Sequence, residues 1–150
     1  EPINENQLIV FFNKEFNKLL IHLAKENRID SGIELINSLN VRNSFVNIFI
    51  KLSSHNLLLY GSYCEKKHFY FSAIILYTAF IEKNPKSNRV AGILKKIDFL
   101  IEHEFESQQN MEDLAFIEMT VNNDKVKTLF KQHFQFSRTA VVTAVRKKTS

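Results

Sequence analysis

The stretch LLLYGSYCEKKHFYFSAIILYTAFIEKNP, residues 57–85, decides how this chain folds. Its first half carries Leu57, Tyr60, Gly61 and Cys64, spaced i, i+3, i+4, i+7, which puts all four on one face of an α-helix. Its second half contains an uncharged run of 13 residues from Phe69 to Ile81. A helix that is apolar on nearly every side must be covered on nearly every side, so this run belongs at the centre of the domain. Pro85 lacks an N–H and restricts Asn84 before it, so the second helix ends there. At Gly61 any side chain would hold the two helices apart, and Ala73 is the small residue expected to fit into that space. The intervals from Gly61 to Ala73 and from Ala73 to Pro85 are both 12 residues.

In order and spacing, Leu57, Tyr60, Gly61, Cys64, Ala73, Tyr77 and Pro85 resemble a single tetratricopeptide (TPR) unit, a helical hairpin of about 34 residues. The resemblance covers residues 54–87. Tyr60 departs from it, standing where leucine is usual, and so does Phe80, where a small residue is usual. A TPR-like unit implies antiparallel helix pairs stacked in an α-solenoid-like scaffold and a job in binding another protein. It also implies that the first helix of the pair lines a concave surface, which makes His55, Leu58, Ser62, Glu65 and Lys66 the candidate partner-binding residues. Chaperone-binding TPRs clamp a peptide carboxylate with Lys and Asn at the positions of Leu58 and Ser62. Their absence argues for a folded partner, with about 800 Å² buried on this side.

Outward from this unit the pattern stays helical. Leu8, Phe11, Phe12, Phe16, Leu19, Leu20 and Leu23 form a broad stripe from Gln7 to Glu26. Asp30 or Ser31 is placed to cap a short helix carrying Ile33, Ile36 and Leu39, and Gly32 to be the small contact residue of an earlier helix pair. Phe45, Ile48, Phe49 and Leu52 repeat the spacing, with a break expected at 53–56. Ser87 or Asn88 is placed to cap a helix to about Glu106, followed by helices at 111–120 and 124–136. The expectation is an all-α fold of about seven or eight helices, with residues 1–136 as a single domain and 137–150 as a basic, docking or flexible segment. The TPR-like pattern occurs once, and a lone repeat cannot bury its own faces, so the other pairs must cover it.

Composition narrows the function. The chain has 150 residues, 14 Phe, three Gly, two Pro and one Cys, enough length and apolar content for a real core. A lone Cys64 allows neither an internal disulfide nor zinc-finger spacing and reads as a buried thiol. The 13-residue apolar run is too short to span a bilayer, so no membrane role is expected, and an intracellular location, cytoplasmic or nuclear, follows from the cysteine usage. Glu1-Pro2 in place of an initiating Met points to a piece or processed form of a longer chain. His22, His55, His68, His103 and His133 are scattered, with no i, i+4 pair, and Gly-rich loops and nucleophile motifs are absent. No enzyme, cofactor or metal site is therefore expected. The net charge of +4 comes from the C-terminal end, since residues 122–150 hold seven Lys/Arg against one acid. Lys125, Lys127, Lys131, Arg138, Arg146, Lys147 and Lys148 carry the competing reading, a helical domain that binds nucleic acid through this end.

Overall fold

The computed structural model describes residues 5–38, 49, 51–104 and 121–133, and all the regular structure among them is helical. The helices are α1 (Glu5–Lys25), α2 (Ile29–Ser38), α3 (Ser54–Lys66), α4 (Tyr70–Lys83), α5 (Val90–Glu104) and α6 (residues 124–133). The fold is all-α. Of the stretch expected to be helical before the break, Phe49, Lys51 and Leu52 are described and form a turn and bend; the rest of it, the expected helix at 111–120, the boundary at 136 and the segment 137–150 lie outside the described residues.

The helix ends follow from local chemistry. Ser53 is the N-cap of α3, its Oγ accepting the Asn56 N–H at 3.1 Å, so the break lies earlier than expected: it ends at Ser53, and residues 54–56 are already helical. Ahead of Pro85, α4 ends at Lys83, with the Asn84 N–H still donating to the Phe80 carbonyl. Two other ends are closed by Schellman turns. After α1, the Arg28 N–H reaches back to the Leu23 carbonyl (2.8 Å) around Asn27 at φ 59°. After α3, the Phe69 N–H reaches the Cys64 carbonyl (2.8 Å) around His68 at φ 63°. Because the first turn is so tight, α2 begins at Ile29. Asp30 and Ser31 therefore lie inside its first turn, which corrects their expected role as caps. Ser87 and Asn88 likewise precede α5 without capping it directly: Ser87 forms a turn, its Oγ accepting the Arg89 N–H, and the helix starts at Val90.

Among the described helices, packing joins α1 with α2, α2 with α3, α3 with α4, and α4 with α5. The α3–α4 hairpin is antiparallel. At one end Asn84 Nδ2 donates to Ser54 Oγ (2.9 Å) and Lys83 Nζ to the Leu52 carbonyl (2.5 Å). At the other, Tyr70 at the start of α4 faces His103 near the end of α5, their rings 5.4 Å apart, so α5 is antiparallel to α4 and parallel to α3. Every residue of α4 from Ser72 to Ile81 is buried, as its uncharged run requires.

Each of two seams is closed by a glycine on one helix and a tyrosine from the next. A β-carbon at Gly32 of α2 would come within 2.5 Å of Tyr60 Cε1 on α3, and one at Gly61 of α3 within 2.7 Å of Tyr77 Cε1 on α4. Gly61 thus makes room for the Tyr77 ring, whereas the spacing had pointed to Ala73 as its partner. Neither ring has room to retreat. Tyr60 and Tyr77 are buried, the Tyr60 hydroxyl donates to the Leu20 carbonyl, and the Tyr77 hydroxyl donates to Glu65 Oε1 at 3.1 Å.

A carboxylate docks α6, the last of the described helices. Glu82 Oε1 accepts the backbone N–H groups of Asn122 (2.7 Å) and Asn123 (2.8 Å), and Asn123 Oδ1 then caps α6 through the N–H groups of Lys125 and Val126. Val121, Val126 and Phe130 complete this contact as buried side chains.

Substituting Gly61→Ala or Gly32→Ala should lower the unfolding free energy by about 1–3 kcal/mol through overpacking against a pinned ring, and Gly61→Leu by more. Urea denaturation measures this, and an unchanged midpoint for Gly61→Leu would refute the seam. The Thr78 hydroxyl is buried in α4 without a hydrogen-bond partner. Thr78→Val should therefore raise stability by up to about 1 kcal/mol, since it removes an unpaired buried polar group at nearly constant shape; a lowered midpoint would show that the hydroxyl is satisfied.

Candidate functional site

Because α3 and α5 run parallel and both pack on α4, a trough is left between them, floored by Tyr77. Its volume is about 380 Å³, and it is lined by Leu58 and Ser62 from α3 and by Arg89, Gly92, Ile93 and Lys96 around α5. Leu58 and Ile93 supply apolar surface. Arg89 and Lys96 are exposed, and Lys96 Nζ sits over the Tyr77 ring, 5.5 Å from its centroid. A β-carbon at Gly92 would meet nothing within 4 Å, so this glycine leaves the α5 wall flush where a side chain would stand into the trough.

The five residues named from the sequence separate here. Leu58 and Ser62, one turn apart, line the trough. Glu65 turns to the Tyr77 hydroxyl and ties α3 to α4. Lys66 is exposed, with its Nζ 5.2 Å from the centroid of the Tyr63 ring. His55 is exposed in the first turn of α3, apart from the lining residues. The opposite wall was missed. Arg89, Gly92, Ile93 and Lys96 fall at i, i+3, i+4, i+7, a helical face in its own right, but no site role was expected of any of them.

The histidines are less scattered than their spacing suggests. His133 on α6 pairs with Asp98 on α5 through Nε2 and Oδ1, beside Glu102 and Gln132 in a second depression of about 320 Å³. The loop and helix ends bring His68, Tyr70, His103 and Phe99 into one row of rings, described below. Among the described residues no three His, Cys, Asp or Glu side chains are grouped to hold a metal ion, and no helix is long and apolar enough to cross a membrane. Of the alternative basic set, Lys125, Lys127 and Lys131 lie on α6, with Lys125 and Lys131 exposed; Arg138, Arg146, Lys147 and Lys148 lie outside the described residues.

Three buried ionisable groups on α3 and α4 are held protonated. Burial pushes the Cys64 thiol up to about 12 and the Tyr60 phenol up to about 12. Tyr77 is also raised, first by burial, then by the charge and hydrogen bond of Glu65 and the proximity of Cys64. Cys64 is therefore a structural thiol with little thiolate at neutral pH.

No known protein family, curated protein or solved structure matches the chain.

The raised values set a pH dependence. In an unfolded chain these thiol and phenol groups would lose their protons near their ordinary values of about 8.5 and about 10, while the folded chain keeps them. Above those values the unfolded state binds fewer protons than the folded one, so stability falls as pH rises toward 12. The thermal midpoint should drop progressively above about pH 9, and Cys64 should react with a disulfide reagent at pH 8 only after urea is added. Rapid labelling of the folded chain would contradict the burial of the thiol.

Proposed function

We propose that this chain is a non-enzymatic protein–protein interaction scaffold, built as a TPR-like, α-solenoid-like stack of helix pairs. We propose further that it serves as a subunit or docking domain of an intracellular multi-protein assembly. The observation that carries this reading is the trough between the parallel helices α3 and α5. Its apolar surface at Leu58 and Ile93 is bordered by the cations Arg89 and Lys96, a mixture suited to a side chain or helix edge of a folded partner. Two further features support it. Among the described residues, helix contacts run chiefly from each described helix to the next described one, as expected of a one-dimensional stack. Gly61 and Tyr77 close the hairpin whose first helix forms one wall.

The experiment is affinity capture from the native source, comparing the unaltered chain with Leu58→Asp, Ser62→Arg and Gly92→Trp. All three positions face the trough, and Gly92 has open space beside it, so the fold should survive, as circular dichroism would check. A trough partner should be retained by the unaltered chain and lost at least about tenfold by each variant, as expected when about 1.4 kcal/mol or more of interface energy is removed. If all three variants capture the same proteins equally, the trough is not the binding surface.

A further inference from the structure

The end of the molecule where α3 ends, α4 begins and α5 ends carries a feature that partner binding in the trough does not use. His68, Tyr70, His103 and Phe99 form a continuous row of rings. The His68 and Tyr70 rings are 5.5 Å apart and perpendicular, and His68 Nδ1 hydrogen-bonds the Tyr70 hydroxyl at 2.5 Å. The Tyr70 and His103 rings are 5.4 Å apart, and those of Phe99 and His103 4.3 Å. The row is built at some cost and is open to solvent. Phe99 is 56% exposed, and both histidines are exposed as well. His68 occupies the left-handed position (φ 63°) of the α3 Schellman turn, which glycine fills most readily. Lys66 and Lys67, in the last turn of α3 and just after it, are both exposed, and Lys66 lies over the Tyr63 ring.

We propose that this end is a binding site for single-stranded nucleic acid, with Phe99 and the adjoining rings stacking bases and Lys66 and Lys67 contacting phosphates. Exposed rings beside lysines fit that ligand better than a protein. Lysine is depleted from the buried cores of protein interfaces, whereas a base offers a π-face to any ring and the backbone brings charge opposite to lysine's. Asp98 and Glu102 of α5 point elsewhere. Asp98 and Glu102, four residues apart, line the depression toward α6, while Phe99 and His103 share the face toward Tyr70. The proposed site uses no residue of the basic segment 137–150.

Fluorescence anisotropy with the 150-residue chain and a labelled oligouridine of about ten nucleotides, long enough for one such site, tests this. Binding should be seen at low salt, weaken as salt is raised, and exceed binding to a duplex of equal length. Phe99→Ala, at an exposed position, should weaken it by roughly 5- to 100-fold, and Lys66→Glu with Lys67→Glu should both weaken it and flatten its salt dependence. Replacing Arg146, Lys147 and Lys148 together by alanine should leave it unchanged. The proposal is overturned if the oligonucleotide does not bind, if Phe99→Ala binds as well as the unaltered chain, if the duplex binds more tightly, or if the triple alanine variant loses the interaction.

Discussion

The structure depends on tyrosine rings seated against glycines. Tyr60 of α3 lies on Gly32 of α2, and Tyr77 of α4 lies on Gly61 of α3. In each case the glycine lets a large ring enter a seam between two helix backbones, and the ring's hydroxyl is then tied off, by the Leu20 carbonyl or the Glu65 carboxylate. The apolar ring gives area and the hydroxyl gives direction, so register as well as proximity is set. The described helices α2, α3 and α4 are thereby held against one another, and α4 is driven into the position where its uncharged surface is covered.

That arrangement produces the trough. With α3 and α5 parallel on α4, the same Tyr77 that closes the first hairpin becomes the floor between the outer two helices, and Lys96 stands over it. A functional surface and a structural key thus share one side chain. Glu65 belongs to the key, since its carboxylate holds the Tyr77 hydroxyl. Glu82 plays a similar part at the far end of α4, where its Oε1 receives two backbone N–H groups ahead of α6.

Much of this was legible in residues 57–85. The helix pair, its end at Pro85, the burial of Leu57, Tyr60, Cys64 and Tyr77 and the central place of α4 all follow from spacing and polarity, because 3.6-residue periodicity and proline's missing N–H act within a single helix. The partner of Gly61 did not follow. Spacing named Ala73, but the contact depends on how one helix is rotated against the other, and a tyrosine one turn further along fills the space. Helix caps were less legible: at Ser53 a break was expected and no cap. They were misread at Asp30 because Asn27 reverses the chain so tightly that α2 starts before the expected cap.

Sequence alone determined that this chain is helical, where its central hairpin lies and that Leu58 and Ser62 stand on an outward face, since each of these depends on neighbours within a few residues. Only the tertiary structure decided what those residues face. It joined them to Arg89, Gly92, Ile93 and Lys96 across the trough, diverted Glu65 into the hairpin, and lined up His68, Tyr70, His103 and Phe99 from three helix ends. The physical reason is that a groove or a row of rings is a property of parallel and antiparallel neighbours, fixed by side-chain packing between helices and not by periodicity along any one of them.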